Sequence, residues 1–567
     1  MNWYNDTPEI KLRLANPLMR RIVELKEHGF ADAGKFDYAP VDTEDALDNY
    51  DRLLEIVGDI SENVIAANSE NVDRTGPSCE GGRAHYAPGT EENLAICRQA
   101  GLTALEMPRR YGGLNMPSTV FCAASELISR ADAGFQNLLG LQSCACTLYE
   151  FGTDDQRERF ITRVCDGETM SMDLTEPDAG SDLQSVALKA TFDEKENCWR
   201  LNGVKRFITN GDSDIHLVLA RSEEGTTDGR GLSMFIYDKR DGGVTVRRIE
   251  DKMGIHGSPT CELVYNNARA ELCGDRRLGL IKYVMSLMNA ARLGIAAQSV
   301  GISAAALQEA VSYAADRKQF GKAIEGFPAV YEMIAMIKAK LEASRSLLYE
   351  TANYVDIYKS LEDIARERTL TPEERQECKR YSRLADALTP LAKGMSSEFA
   401  NQNAYDCIQI HGGSGFMRDY LCERLYRDAR ITSIYEGTTQ LQVVAAIRYV
   451  TNGTYSSMVE EMLSEALPDT FESQRRSVEA MLDSFRKASE AVSAVKDQEW
   501  LDFHARRLVE MAAYCVMSAL LLRDAAKNPE LLQASAGVFV SHASSQVASH
   551  ASFIESSDPA MLNWYRR

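Results

Sequence analysis

Trp199-Arg-Leu-Asn-Gly-Val-Lys-Arg-Phe-Ile-Thr-Asn-Gly211 is the stretch whose reading decides the fold. Strand-type residues are interrupted by Asn202-Gly203 and closed by Asn210-Gly211, both pairs that favour hairpin turns. The same texture extends outward over residues 170–270. Short β-type runs at 183–192, 199–201, 215–220, 232–237, 243–249 and 261–265 alternate with turn residues, Asp241-Gly242-Gly243 among them. About a hundred residues of this kind suit a compact antiparallel barrel or sandwich.

On both sides the period changes from two to that of a helix. Upstream, 44–67 and 117–130 place apolar residues three and four apart, and Pro117 suits a first helical position after the turn Tyr111-Gly112-Gly113. Residues 69–90, polar and rich in Gly and Asn, read as a loop. Downstream, helices are expected at 290–315, 329–358, 376–400 and 440–450, with Pro390 as a kink site in the third. Thr369-Leu-Thr-Pro-Glu-Glu374 is a helix-start signature inside the charged stretch 362–380. Residues 460–567 are helical again. With 567 residues, the chain exceeds the ~250–300 at which a single core stops growing. The expectation is an α+β multidomain protein: an N-terminal extension (1–42), a helical domain (43–168), an antiparallel β-barrel (169–272), a four-helix bundle (273–452) and an additional C-terminal helical domain (453–567).

Composition narrows the partners. The 83 acidic residues against 63 basic ones give a net charge of −20, which disfavours nucleic acid and anionic membrane surfaces as general partners. The first thirty residues carry charges throughout and contain no apolar core of signal-peptide length. The strongest apolar run, 511–522, is shorter than the ~20 residues a span needs and reads as a buried helix. Thirteen scattered cysteines, an odd number, read as thiols of a reducing cytoplasm, and no spacing among them suggests a metal site.

Five segments carry residues with chemical potential, each weak by itself. Leu174-Thr-Glu-Pro-Asp-Ala-Gly-Ser-Asp182 offers close backbone approach and hydroxyl donors, yet alone it is a plain β-edge turn. In Lys205-Arg-Phe-Ile-Thr-Asn-Gly211, Phe207 can stack on a planar ring and Thr209 can hydrogen-bond it, whereas in isolation the phenylalanine is a core residue before a hairpin. Asp316-Arg-Lys-Gln-Phe-Gly321 puts an arginine at a helix end, suited to a pyrophosphate or simply to the helix dipole. Gln409-Ile-His-Gly-Gly-Ser-Gly-Phe416 is glycine-rich without GxGxxG spacing or a preceding strand, so it is no Rossmann fingerprint, but its N–H groups can cradle phosphates. In Tyr426-Arg-Asp-Ala-Arg-Ile-Thr-Ser-Ile-Tyr-Glu-Gly-Thr-Thr-Gln440, Glu436 is a loop carboxylate beside apolar neighbours, where burial would raise its pKa toward that of a general base. Most loop glutamates are merely solvated.

Taken together and in this order, TEPDAGSD, NGVKRFITNG, RKQFG, QIHGGSGF and RDARITSIYEGTTQ resemble the acyl-CoA dehydrogenase family over about residues 44–450. The resemblance implies an N-terminal helical domain, a middle β-barrel and a C-terminal helical bundle with FAD between them. It implies that Met172, Leu174, Thr175, Gly180 and Ser181 line the flavin and that Phe207, Ile208 and Thr209 pack on its ring. By the same resemblance Arg317, Gln319, Gln409, Gly412 and Gly413 hold the pyrophosphate and adenosine of a neighbouring subunit's FAD. Thr438 and Gln440 complete the cofactor site. Ser181, Asn289, Arg292, Gly437 and Arg448 fall where family members contact acyl-CoA. A shared site implies a homo-oligomer, dimer or tetramer.

The implied reaction follows from thioester chemistry. Donors to the carbonyl oxygen stabilise the developing enolate, Glu436 takes the α-proton and the flavin accepts hydride from the β-carbon. The product is a trans-2-enoyl-CoA, and an electron-transfer flavoprotein receives the electrons. Ala290 and Ala291 precede Arg292 where some branches carry a relocated base, so no second glutamate competes there. The sequence departs from the family pattern at Pro328, Met172, Asn289 and Arg109-Arg110. The extension, the 362–380 insertion and the C-terminal domain are similar to the longer branch that includes methylmercaptopropionyl-CoA dehydrogenases, although very-long-chain members also carry an extra helical domain. The rival readings are an acyl-CoA oxidase, with the same fold and base but O2 as acceptor, and a non-catalytic flavin-binding relative, against which the intact Glu436 argues.

Overall fold

The computed structural model describes residues 2–566. The chain divides into two compact units, one comprising residues 1–7 and 18–301, the other residues 8–17 and 302–567.

The first unit is built around a seven-stranded sheet. Its strands are β1 (Met170–Asp173), β2 (Lys189–Asp193), β3 (Cys198–Thr209), β4 (Ile215–Arg221), β5 (Leu232–Asp238), β6 (Val244–Ile249) and β7 (Thr260–Cys273). The order is β1-β4-β2-β3-β7-β5, and β5 also pairs β4, which closes a barrel; β6 adds to β7. Antiparallel pairing dominates, but β1 and β2 run parallel to β4. β1 was absent from the expected strands. Central strands are buried on both faces, and 215–220 is accordingly apolar except for His216, itself buried. Ile215, Leu217 and Leu219 join a core shared with Leu148, Phe160, Ile161 and Val164 of the helical segment. Val218 and Ala220 point into the barrel with Leu201, Phe235 and Leu263. Each large side chain so buried contributes about 1.5–3 kcal/mol.

Asn202-Gly203 is not a turn. It lies inside β3 at a register shift against β7, a bulge, and a second shift falls between Lys205 and Ile208. The upstream helices include α1 (Thr43–Ile60), capped by the Asp42 side chain, and α2 (Ser118–Ala131), which begins one residue after Pro117 and has no side-chain cap. The expected loop at 69–90 is instead a helix to Thr75 followed by a two-stranded hairpin, Ser78–Glu80 with Arg83–His85. The polar composition concealed both.

Helix α3 (Met285–Asp316) leads into the second unit, which contains α4 (Pro328–Glu367), α5 (Pro372–His411), α6 (Leu421–Thr432) and α7 (Thr439–Thr451). The helix start at Thr371 is a capping box: Thr371 accepts from Glu374 N while Glu374 accepts from Thr371 N. α5 runs on through Pro390. The C-terminal helices α8 (Glu472–Ala494), α9 (Gln498–Lys527) and α10 (Pro529–Glu555) pack on one another, and α9 and α10 also pack on α4, so they share the bundle's core. Residues 511–522 are buried in α9 as expected. The stretch with the clearest membrane-like composition is a different one, Gly279–Asp316, whose most apolar window has a mean hydropathy of 1.3 and is 67% buried within the protein.

Candidate functional site

In the first unit, the loop after β1 is fastened to β3 by a buried lysine. Lys205 is fully buried and donates through Nζ to the Leu174 carbonyl at 2.8 Å and to Glu176 Oε1 at 2.9 Å. Glu176 in turn accepts from the backbone N–H of Ala187 and Leu188, and Arg206 N donates to the Thr175 carbonyl at 2.9 Å. Burial pulls the Lys205 ammonium below its ordinary pKa while the Glu176 carboxylate opposes the fall. β1 itself is anchored by Asp173, which accepts from Ser171, from His216 Nδ1 at 2.8 Å and from Tyr265. Neither Lys205 nor Glu176 stood among the candidate residues. A buried Lys cannot be read from sequence spacing, because its burial depends on strands sixty residues apart.

This framework presents Thr175 half-buried and Gly180 and Ser181 exposed, while the Leu174 side chain lies in the core. Phe207 sits at the second bulge with φ +61° and is 52% exposed. A bulky residue in the left-handed region is held there at a cost, and the bulge aims its ring outward as a flat apolar platform. Ile208 points the other way, into the barrel, so what it offers a ligand is backbone. Thr209, half-buried, ends β3 opposite Thr260. Asn289 and Arg292 lie on one face of α3, the arginine donating to Asn289 Oδ1 at 3.1 Å.

In the second unit, Glu436 and Gly437 occupy the loop between α6 and α7 with φ of +53° and +88°. Lys393, fully buried on α5, donates to the Gly437 carbonyl at 2.7 Å, and Gln442 Nε2 reaches the same oxygen at 2.8 Å. Thr438 caps α7 by accepting from Leu441 N, and Thr439 donates to Glu398 at 2.7 Å. Gln440 is exposed in the first turn of α7. The loop carboxylate therefore stands on a backbone fixed from two sides. Lys393 and Gln442, like Lys205, were absent from the sequence-level candidates.

Arg317 and Gln319 sit on a short exposed hairpin, Lys318–Gln319 with Lys322–Ala323, whose tip carries Phe320 at 94% exposure. Gln409 is exposed near the end of α5, and the turn Gly412–Phe416 follows. A Cβ placed on Gly412 or Gly413 would meet nothing within 4 Å, so this backbone faces open space on its Cβ side, while the Gly412 N–H caps α5 by donating to the Gln409 and Ile408 carbonyls. Arg448 borders an open cleft of about 410 Å³ with Lys379, Ser382, Arg383, Asp386 and Tyr449. Three cations around one carboxylate make it suited to anions. Near the glycine turn, Cys407, His411 and Cys422 bring their ligand atoms within 4.8 Å of one another, a grouping that residue spacing did not suggest.

Four family models match the chain in order: Acyl-CoA dehydrogenase, N-terminal domain, at residues 52–168; its middle domain at 171–268; its C-terminal domain at 281–448; and Acyl-CoA dehydrogenase C terminal at 451–562. The 3-(aryl)acrylate reductase of Clostridium sporogenes is 31% identical over 70% of this chain and 96% of its own length. The 3-methylmercaptopropionyl-CoA dehydrogenase of Ruegeria pomeroyi is 33% identical over 70% of this chain and 69% of its own. A solved acyl-CoA dehydrogenase complexed with FAD from Bacillus anthracis shares the fold over 91% of this chain and 90% of that one, with a TM-score of 0.76 at 24% identity.

Proposed function

The chain belongs to the acyl-CoA dehydrogenase family, and from that premise we propose that it dehydrogenates an acyl-CoA thioester to the trans-2-enoyl-CoA with Glu436 as the α-proton base. The observation that carries this reading is the loop of Glu436. Glu436 is half-buried at φ +53°, and Lys393 and Gln442 grip the peptide that follows it, so the backbone from which the carboxylate springs is fixed.

Enzymes of this family are FAD-dependent. The residues fit that group: an exposed flat ring at Phe207, open glycine backbone at Gly412 and Gly413, and an exposed Arg317 for a pyrophosphate. In our reading Met172, Thr175, Gly180, Ser181 and the backbone of Leu174 and Ile208 border the flavin. Thr209 packs on its ring and Thr438 and Gln440 complete the cofactor site, whereas Arg317, Gln319, Gln409, Gly412 and Gly413 serve the FAD of a neighbouring subunit. When bound, FAD supplies the acceptor for the β-hydride. Glu436 removes the α-proton, and its own backbone N–H is the protein donor to the thioester oxygen, where it stabilises the enolate charge. Ser181, Asn289, Arg292 and Gly437 bind the acyl-CoA, and Arg448 with its cleft takes an anionic part of it.

We read the chain as a homo-oligomer, a role that suits the exposed apolar tips Phe320 and Phe416. The electrons pass to an electron-transfer flavoprotein. All thirteen cysteines are free, which supports a reducing compartment. The test is Glu436→Gln, which should keep bound yellow FAD and lose at least about 10²-fold in turnover. Undiminished turnover overturns the assignment. Stopped-flow reoxidation of the wild type then separates the acceptors, since rapid reoxidation by oxygen alone would make the chain an oxidase.

A further inference from the structure

We propose that Cys407, His411 and Cys422 form a structural site for a single zinc-class metal ion. The three side chains are buried and their ligand atoms lie within 4.8 Å of one another. Two thiols and an imidazole are the donor set preferred by zinc and its soft relatives over magnesium or calcium. A tetrahedral ion with sulfur at ~2.3 Å and nitrogen at ~2.0 Å separates its ligand atoms by roughly 3.5–3.8 Å. Cys407 Sγ and His411 Nδ1 are already 3.9 Å apart, so only small side-chain movements close the site.

The fold explains the convergence. Cys407 and His411 are four residues apart on the last turns of α5, hence on one helix face. The short turn Gly412–Phe416 reverses the chain, and Cys422 is the second residue of α6. The imidazole is held from outside the site: Tyr313 stacks on it at 4.2 Å, and the Tyr313 hydroxyl donates to Ser414 Oγ at 3.2 Å. The three side chains leave the fourth tetrahedral position to a water. An ion here ties the end of α5 to the start of α6 and fixes the glycine turn between them.

The competing description is a metal-free hydrogen-bonded trio. His411 Nδ1 donates to the Cys407 carbonyl at 2.8 Å, and Cys422 Sγ rests 3.6 Å from the Gly415 carbonyl. Capture of an ion at Nδ1 gives up the first of these bonds and leaves the ring proton on Nε2, while Cys407 and Cys422 each release a thiol proton to solvent.

The full-length holoenzyme, purified under reducing conditions and stripped with chelator, is to be reloaded with zinc and dialysed. Elemental analysis should find about one zinc per chain, and zinc K-edge X-ray absorption should show two sulfur scatterers at ~2.3 Å. Cys407→Ser and Cys422→Ser should each weaken zinc binding tenfold or more, on the scale of ligand-shell losses. Cys79→Ser, at an exposed cysteine elsewhere, should leave binding unchanged. Zinc lost on dialysis, a sulfur-free coordination shell, or full zinc retention in both variants overturns the proposal. The absorption measurement needs no variant, so a misfolded serine mutant does not shield the idea.

Discussion

Lys393 Nζ donates to the carbonyl oxygen of Gly437 at 2.7 Å from a point on α5 where the lysine is fully buried. The bond fixes the peptide just beyond Glu436, and Gln442 grips the same oxygen. Lys393→Met keeps the apolar stem and removes the donor. We expect kcat to fall with KM nearly unchanged, because the carboxylate is displaced and not removed. A ~1 Å misplacement of a catalytic group costs up to about 10²-fold, and the surviving Gln442 bond should hold the loss below that. Steady-state kinetics on one acyl-CoA decide it. An unchanged kcat with a lowered Tm would make Lys393 a stabilising residue only.

Lys205 plays the parallel part under the Leu174–Thr175 backbone. Lys205→Met strands the Glu176 carboxylate, 7% exposed, without its cation. Breaking a buried pair from one side costs about 3–5 kcal/mol, whereas neutralising both partners costs far less. Lys205→Met/Glu176→Gln should therefore recover much of the stability lost in the single variant, read by chemical denaturation of both. Equal losses in the two would mean that the pair's charge does not matter.

What the sequence makes legible is local. The Thr371–Glu374 capping box and the buried run 511–522 are patterns a few residues long, and the structure places both on the helices expected of them. What it hides is non-local. Asn202-Gly203 has the composition of a hairpin turn, yet pairing with β7 more than fifty residues later draws it into a strand as a bulge. Residues 69–75 are polar enough to read as loop, but they continue the helix because Val72 is buried. Lys205, Lys393 and the trio around His411 become visible only when distant elements set their burial. Glu436 was legible as a carboxylate beside a glycine; the two donors that hold its loop were not.

His256 ties stability to pH. Its Nδ1 contacts Asp73 Oδ1 and the Asp73 carbonyl, both at 3.1 Å, and its Nε2 donates to the Lys252 carbonyl at 2.7 Å. The hydrogen bond to the Asp73 carboxylate raises its pKa to about 9 against a partial desolvation penalty. A folded pKa above the unfolded value of about 6.5 means stabilisation fully present below ~6.5 and lost as pH rises through ~9. His256→Ala should thus lower Tm more at about pH 6 than at about pH 9.5. Equal shifts at both would show that the imidazole contributes by packing and not by charge.

The cleft beside Arg448 separates binding from chemistry. Arg448 donates to the Tyr449 hydroxyl at 2.6 Å and Arg383 to Thr454 Oγ1 at 2.9 Å, so both guanidinium groups are oriented before any ligand arrives. With Lys379 they outnumber Asp386 on the same walls. If this cleft takes phosphate of the acyl-CoA, Arg448→Gln and Arg383→Gln remove binding shared by ground and transition states, which raises KM and leaves kcat alone. A charge-assisted hydrogen bond contributes about 1.5–3 kcal/mol, or roughly 10–100-fold in KM, and the exposure of Arg448 puts the expectation at the lower end. The discriminating substrate is a pantetheine thioester of the same acyl group, which lacks the nucleotide phosphates. Wild type and variants should turn it over with the same KM, because the arginines then have nothing to hold. A KM difference that persists on the pantetheine thioester would mean that the substitutions act through the fold and that the cleft does not read phosphate.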